Sequence, residues 1–448
     1  MSLSTAHISE LQGFLRKAAI DCSERCLYQS SKWAAELLNS LPDKENANPT
    51  EHQLPNSMSN AFEFKLEQHG FSNYLVAKPF FDCREFRRCA EVFLPTCGGE
   101  LTVSTNTRIS QKALFLSLYA LFIAGEKQKE EELGQVLGPD DTEAIVNKEL
   151  NYIKSTLESW FKFLQQPDSI QSRMSDGWLE YLYGLVLARD RIENPAIHWL
   201  LQSVAINPWN WSAWLELSNL MRSPQQLQQV QSELKPSIMT FIFSIHCRQE
   251  LNHTSPSLIN EISQLKAIFP HSQFLESEQA LALYRMEDFD QANSIFSAML
   301  LSNPLHLDAL DHYSNVLYSL VSRDRLAFVA QIASTVDRHR PETCCIVGSY
   351  YSLSSRHEEA IVYFKRALVS DRSFSSAWTL LGHEYLGLQN IHAAIECYRR
   401  ATRLNRKDSR ALFGLSQAYQ HFEKDSFSAY YLRQAAILSP NNDSLNAS

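Results

Sequence analysis

Acidic and polar side chains recur in the C-terminal half of the chain at a fixed offset. Asp308, Asp311, Asn315 and Tyr318 share one face of a helix-length segment. Glu342, Cys345, Ser349 and Ser352 take the matching places one period later, and Thr379 and His383 continue the row. Carboxylates at Asp308, Asp311 and Glu342 suit the arginine of an extended peptide, held by charge-assisted hydrogen bonds. Asn315 suits a bond to the peptide backbone, and Tyr318 suits stacking on it. A plainly solvated groove face would use the same residue types. Either way the chemistry is recognition, not bond breaking.

Catalytic patterns are missing. His246, His271, His306, His312, His339, His357, His383 and His392 are scattered, and Glu358–Glu359 reads as a solvated pair. There is no GxSxG, HExxH, GxGxxG or GxxxxGK[ST] motif. Cys22 and Cys26 have no second pair at zinc spacing, so neither metal nor cofactor is expected. The expectation is a chain without catalytic residues.

The elements that must carry the polar row are set by a repeat. Trp378, Leu381, Gly382, Tyr385, Ala394, Tyr398 and Ala401 become Cys344, Val347, Gly348, Tyr351, Ala360, Phe364 and Ala367 when 34 is subtracted. Adding 34 gives Leu412, Leu415, Ser416, Tyr419, Ser428, Leu432 and Ala435, with Pro440 closing the unit. Large, large, small, aromatic, then Ala, aromatic, Ala is the tetratricopeptide signature. Small residues at Gly184, Gly348 and Gly382, and at Ala360 and Ala394, let paired helices approach. Trp378, Tyr351 and Tyr385 fill the space beside them.

Carried back, the register predicts eight units: 177–210, 211–238 (shortened near Ser223–Pro224), 239–272, 273–306, 307–340, 341–374, 375–408 and 409–442. Residues 1–38 read as N-terminal helices and 39–60 as a flexible linker, rich in Asn, Pro, Ser and Glu. Residues 61–176 read as divergent repeats, with a passable unit near 70–103, a loop at 98–110, and a helix pair from Leu114 to Leu137 turning near Gly125. A tail occupies 443–448. The predicted fold is all-α: a tetratricopeptide superhelix, an α-solenoid of antiparallel helix pairs whose first helices line a concave groove.

Composition bounds the setting. Lys and Arg number 41 against 50 Asp and Glu, a net charge of −9, which disfavours nucleic-acid backbones. The longest apolar run, Ala113–Ala124, is too short for a bilayer, so no membrane partner is expected. Residues 1–20 lack a signal-peptide core, and an odd count of nine cysteines fits reduced thiols in nucleus and cytoplasm. Lys44–Glu45–Asn46 forms a KEN tripeptide in the predicted linker, a degron type when exposed and otherwise a chance match.

Beyond the generic repeat, YSNVLYS (313–319), RPETCCIVGSYYSLSSRHEEAIVYFKRAL (340–368) and SAWTLLGHEYLGLQNIHAAIECYRRA (376–401) resemble one family. So do RCLYQSSKWAAEL (25–37), FFDCREFRRCA (80–90), FIAGEKQKEEE (122–132), YLYGLVLAR (181–189) and NPWNWSAWLEL (207–217). The family is subunit 8, the Cdc-twenty-three type, of the anaphase-promoting complex or cyclosome. The resemblance implies a scaffold of a multi-subunit E3 ubiquitin ligase whose chemistry resides in other subunits. It implies a homodimer through the N-terminal region (1–38 with 61–176), contacts with other cyclosome subunits, and a C-terminal groove for the C-box of a coactivator. It also implies further repeats beyond the last unit of this chain. The competing expectation is a general tetratricopeptide adaptor or a co-chaperone clamp. Such a clamp needs fixed positive charge, which Cys345, Ser349, Thr379 and His383 lack.

Overall fold

The computed structural model describes residues 5–41, 61–94, 109–135, 146–164, 175–252 and 255–438. Most of the predicted linker, the KEN tripeptide, residues 98–108 and the tail lie outside them. The described residues form 22 helices and no strand, and they divide into two compact units: residues 1–221 with 228–243, and residues 222–227 with 244–448.

In the first unit, α1 (Thr5–Glu24) and α2 (Tyr28–Asn39) form a hairpin, followed by α3 (Ala61–Asp82), α4 (Phe86–Glu91), α5 (Gln111–Gln135) and α6 (Leu150–Leu164). Then come α7 (Trp178–Arg189), α8 (Glu193–Ile206) and α9 (Trp211–Leu220); α10 (Pro224–Glu233) has its first residues in the second unit and the rest in the first. The hairpin packs far along the chain: Trp33 of α2 stacks on Trp211 of α9 at 4.4 Å, nearly parallel. Arg25 lies over the Trp178 ring at 4.6 Å. Both contacts bury aromatic area that a lone hairpin would leave wet.

One expectation is corrected here. No helix pair turns at Gly125: α5 runs unbroken from Gln111 to Gln135, and Val136 and Leu137 lie outside the described residues. Glycine is kept there for space. A Cβ on Gly125 would collide with the side chain of Asn147. The Asn147 amide donates to Phe122 O (3.2 Å) and Glu126 Oε1 (3.0 Å), tying the start of α6 to α5.

The chain continues as α11 (Ile238–Glu250), α12 (Pro256–Lys266), α13 (Gln273–Arg285), α14 (Phe289–Ser302), α15 (Leu310–Ser319) and α16 (Arg323–Val336). It ends with α17 (Pro341–Leu353), α18 (His357–Ser370), α19 (Ser375–Gly387), α20 (Ile391–Leu404), α21 (Ser409–His421) and α22 (Asp425–Leu438). The second unit is a stack of antiparallel pairs. Capping starts its helices: Ser272, Asp288, Asn390 and Asp408 each accept a backbone N–H of the first turn, and Pro341 opens α17 where its missing donor costs nothing.

The turns inside the pairs share one geometry. Glu287, Val321, Ser355, Gln389 and Glu423 all have φ between 56° and 62° except Val321 at 54°, and they lie 34 residues apart. After each, a backbone N–H closes back five residues: Asp288 to Leu283, Ser322 to Leu317, Arg356 to Tyr351, Asn390 to Tyr385 and Lys424 to Tyr419, at 2.8–3.1 Å. The hydrogen bonds hold non-glycine residues in a left-handed conformation that costs about 1–2 kcal/mol each.

Within the pairs, a Cβ on Gly348 would sit 2.5 Å from the Phe364 ring, and one on Gly382 2.5 Å from the Tyr398 ring. Gly184 faces Leu200 at 2.8 Å in the same sense. Phe364 and Tyr398 are fully buried, each removing apolar surface worth about 2–3 kcal/mol. Ala360 and Ala394 are likewise buried. Tyr351 stacks on Tyr363 at 5.3 Å, Tyr385 packs on the clusters of both neighbouring pairs, and the Trp378 indole donates to Arg372 O at 3.0 Å.

Candidate functional site

The polar row lies on the first helices of successive pairs in the second unit, α15, α17 and α19. Asp308 precedes α15, while Asp311, Asn315 and Tyr318 lie on it. Tyr318 is 44% exposed, so its ring is open to a ligand. Asp311 is mostly covered, with its carboxylate 3.9 Å from His312 Nε2.

Two of the three carboxylates already hold a guanidinium. Arg340, which caps the start of α17, places Nη2 2.9 Å from Asp308 Oδ1 and Nε 2.9 Å from Glu342 Oε2. The pair therefore has the chemistry expected of an arginine receptor, but its occupant is the chain's own Arg340. That residue lies in the turn before α17, and reading helix faces alone leaves it out.

Three other residues are corrected. Cys345, Ser349 and Thr379 are at most 2% exposed, so they pack between helices instead of facing a ligand. Burial drives the Cys345 thiol well above its usual range. The Thr379 hydroxyl donates to Asp408 Oδ2 at 2.8 Å, linking α19 to the cap of α21. His383 is half-buried, and the Tyr398 hydroxyl lies 2.8 Å from its Nδ1. Burial, helped by the charge of Arg410, lowers its pKa to about 4, so the ring is neutral at pH 7.

The sequence reading missed a relay across three pairs. The Tyr318 hydroxyl lies 3.3 Å from Ser352 Oγ, which donates to Glu384 Oε1 at 2.6 Å. The other oxygen, Oε2, meets His357 Nδ1 at 2.7 Å. Glu384 is buried, and the two partners satisfy both of its oxygens. The available signal was a carboxylate at the inner end of the apolar stretch of α19.

The arrangement offers an exposed ring, an amide and carboxylates along adjacent helices, which is a surface for an extended chain. Among the described residues no group of three or more His, Cys, Asp or Glu could hold a metal ion. No described helix is long and apolar enough to cross a membrane.

Residues 10–280 match the family model described as anaphase promoting complex subunit 8 / Cdc23, and residues 375–408 match a tetratricopeptide repeat model. The chain is 35% identical over 405 residues to anaphase-promoting complex subunit 8 of Arabidopsis thaliana, covering 85% of this chain and 66% of that protein. It is 32% identical over 456 residues to anaphase-promoting complex subunit CDC23 of Saccharomyces cerevisiae, covering 87% and 71%. Cell division cycle protein 23 homolog of Homo sapiens is 34% identical over 307 residues, covering 68% and 46%. The chain thus spans about two thirds of the first two relatives. Among solved structures, the APC/C hetero-tetramer Cut9–Hcn1 superposes with a TM-score of 0.53 at 16% identity, over 84% of this chain and 75% of that one. At that identity the likeness is one of fold, the tetratricopeptide superhelix.

Proposed function

Because this chain belongs to the anaphase promoting complex subunit 8 / Cdc23 family, we propose that it is a non-catalytic scaffold subunit of the cyclosome, a multi-subunit E3 ubiquitin ligase acting in mitosis. The family match over residues 10–280 carries this reading. Stacked helix pairs, with polar first-helix faces and apolar cores, are what a scaffold needs: surface for partners without a reaction centre. The setting is nucleus and cytoplasm.

The groove of the second unit receives an extended segment of a partner, the C-box of a coactivator among them. Asp308, Asp311 and Glu342 recognise its arginine, and Asn315 and Tyr318 hold its backbone. The affinity of the Asp308–Glu342 pair for Arg340 supports the chemistry of this reading.

Self-association runs through the N-terminal region. Phe64, Phe71 and Leu75 lie at helical spacing on α3 and are 42–55% exposed, which suits a second copy.

Affinity purification of the tagged chain from dividing cells tests the assignment. Recovery of cyclosome subunits is expected; chaperones without them would sink it. In sedimentation the full chain runs as a dimer, and Phe71→Glu with Leu75→Glu gives a monomer of unchanged helical content.

A further inference from the structure

A cavity of about 480 Å³ opens on the first-helix side of the second unit. Three cations reach it from distant parts of the chain: Arg285 at the end of α13, Lys407 in the turn before α21, and Arg410 in its first turn. Arg285 Nη1 is buried and has no hydrogen-bond partner among the described residues. A buried guanidinium N–H without an acceptor is costly, and it asks for one.

The acids around the cavity are already committed. Glu250 lies 3.8 Å from Arg285 Nη2. Burial pushes the Glu250 carboxyl up, but Arg285, His246, Lys407 and His312 together hold it below its usual range. Glu278 shares this work: its Oε1 lies 3.0 Å from His246 Nδ1, and its charge also acts on Arg285. Asp408 caps α21: Oδ1 accepts from the backbone of Arg410 (3.0 Å) and Ala411 (3.3 Å) and lies 3.8 Å from Arg410 Nε, and Oδ2 accepts from Thr379. Asp311 also acts on Arg410, and its nearest basic atom is His312 Nε2. Glu287 is exposed on a turn at the rim. Ser375 and Ser409, the first residues of α19 and α21, bring two helix N-termini to the wall. Arg285 Nη1 stays without an acceptor among the described residues.

We propose that this cavity is an anion subsite, in which Arg285, Lys407 and Arg410 hold a carboxylate or phosphoryl group carried by an extended peptide. The proposal rests on reading this face as a peptide groove. It adds a second subsite of opposite charge beside Asp311. A ligand that fills both carries an anionic residue as well as an arginine.

Fluorescence polarisation on the full chain tests this with three labelled peptides: tetra-aspartate, a phosphoserine peptide, and a neutral peptide with one arginine. At least one anionic probe binds, and inorganic phosphate competes with it. Lys407→Ala with Arg410→Ala weakens that probe about tenfold or more, while the arginine probe changes less than about twofold. Arg410→Lys, which keeps the charge, retains most of the affinity. Preference for tetra-aspartate marks a carboxylate ligand, and preference for phosphoserine a phosphoryl one. Failure of both anionic probes on the wild-type chain overturns the proposal, as does anion binding indifferent to the double substitution. If the arginine probe alone fails, the arginine reading of the groove falls and the anion subsite stands.

Discussion

The hydroxyl of Tyr398 lies 2.8 Å from Nδ1 of His383, and burial keeps that imidazole neutral at pH 7. His383 has a folded pKa of about 4 against an ordinary 6.5, so between those values the unfolded chain binds a proton that the folded one excludes. Stability therefore falls as pH drops from 6.5 toward 4, by up to ~3 kcal/mol. His246 acts in the opposite sense. Burial works against its charge, but Glu278 raises its pKa overall, so its contribution is present at low pH and fades as pH rises through the folded pKa. Urea unfolding of wild type and His383→Asn at pH 7 and pH 5 isolates the first effect. The variant should lose less stability on acidification; an equal loss would refute the assignment.

Arg340 competes for the carboxylates it bridges. Arg340→Ala should tighten binding of an arginine-bearing peptide by about threefold to tenfold, because Asp308 and Glu342 lose their internal partner. Glu342→Lys should weaken it while helical content is kept. Calorimetric titration measures both, and indifference to both would remove these acids from the site.

Close packing at the small positions predicts a steep response to one methyl group. Gly348→Ala and Gly382→Ala each push a Cβ to 2.5 Å from a buried ring, and each should cost about 1–3 kcal/mol. Gly13, where an added Cβ meets nothing within 4 Å, serves as control. Denaturant midpoints report the difference.

Val321 is a β-branched residue held at φ 54° and 71% exposed. Val321→Gly relieves that strain and loses little contact, so the melting temperature should rise, with a gain of about 0.5–1 kcal/mol. A fall would mean that the valine packs usefully at the turn.

Cys83 is the one exposed thiol among the described cysteines, and the other seven are buried. Burial raises Cys22, Cys89 and Cys397 to about 12, well above the range of reactive thiols. In a Cys97→Ser background, a thiol reagent should modify the native chain at Cys83 alone, and Cys83→Ser should abolish the rapid phase.

The repeat was legible in the sequence because two helices can touch closely only where the side chain is small. Gly348 and Gly382 therefore recur 34 residues apart, with Phe364 and Tyr398 opposite them. Gly125 misled for a related reason. Glycine reads as a breaker, and its role in admitting Asn147 depends on a segment 22 residues further on. In the groove, helical spacing located Tyr318 and Asn315 but not the burial of Cys345, Ser349 and Thr379. Spacing along one helix does not say how far the next helix leans over it. Arg340, Glu384 and Asp408 act across neighbouring pairs, and that relationship is invisible in any single repeat.

The stacking of Trp33 on Trp211 has a consequence in time. At about 5–20 residues per second, synthesis places roughly 10–35 s between the emergence of the two rings. Throughout that interval the α1–α2 hairpin exists without the surface that covers its tryptophan. The α1–α2 hairpin thus waits for α9 before its tryptophan is covered, and a nascent chain stalled before residue 211 would present an apolar hairpin to whatever waits at the ribosome exit.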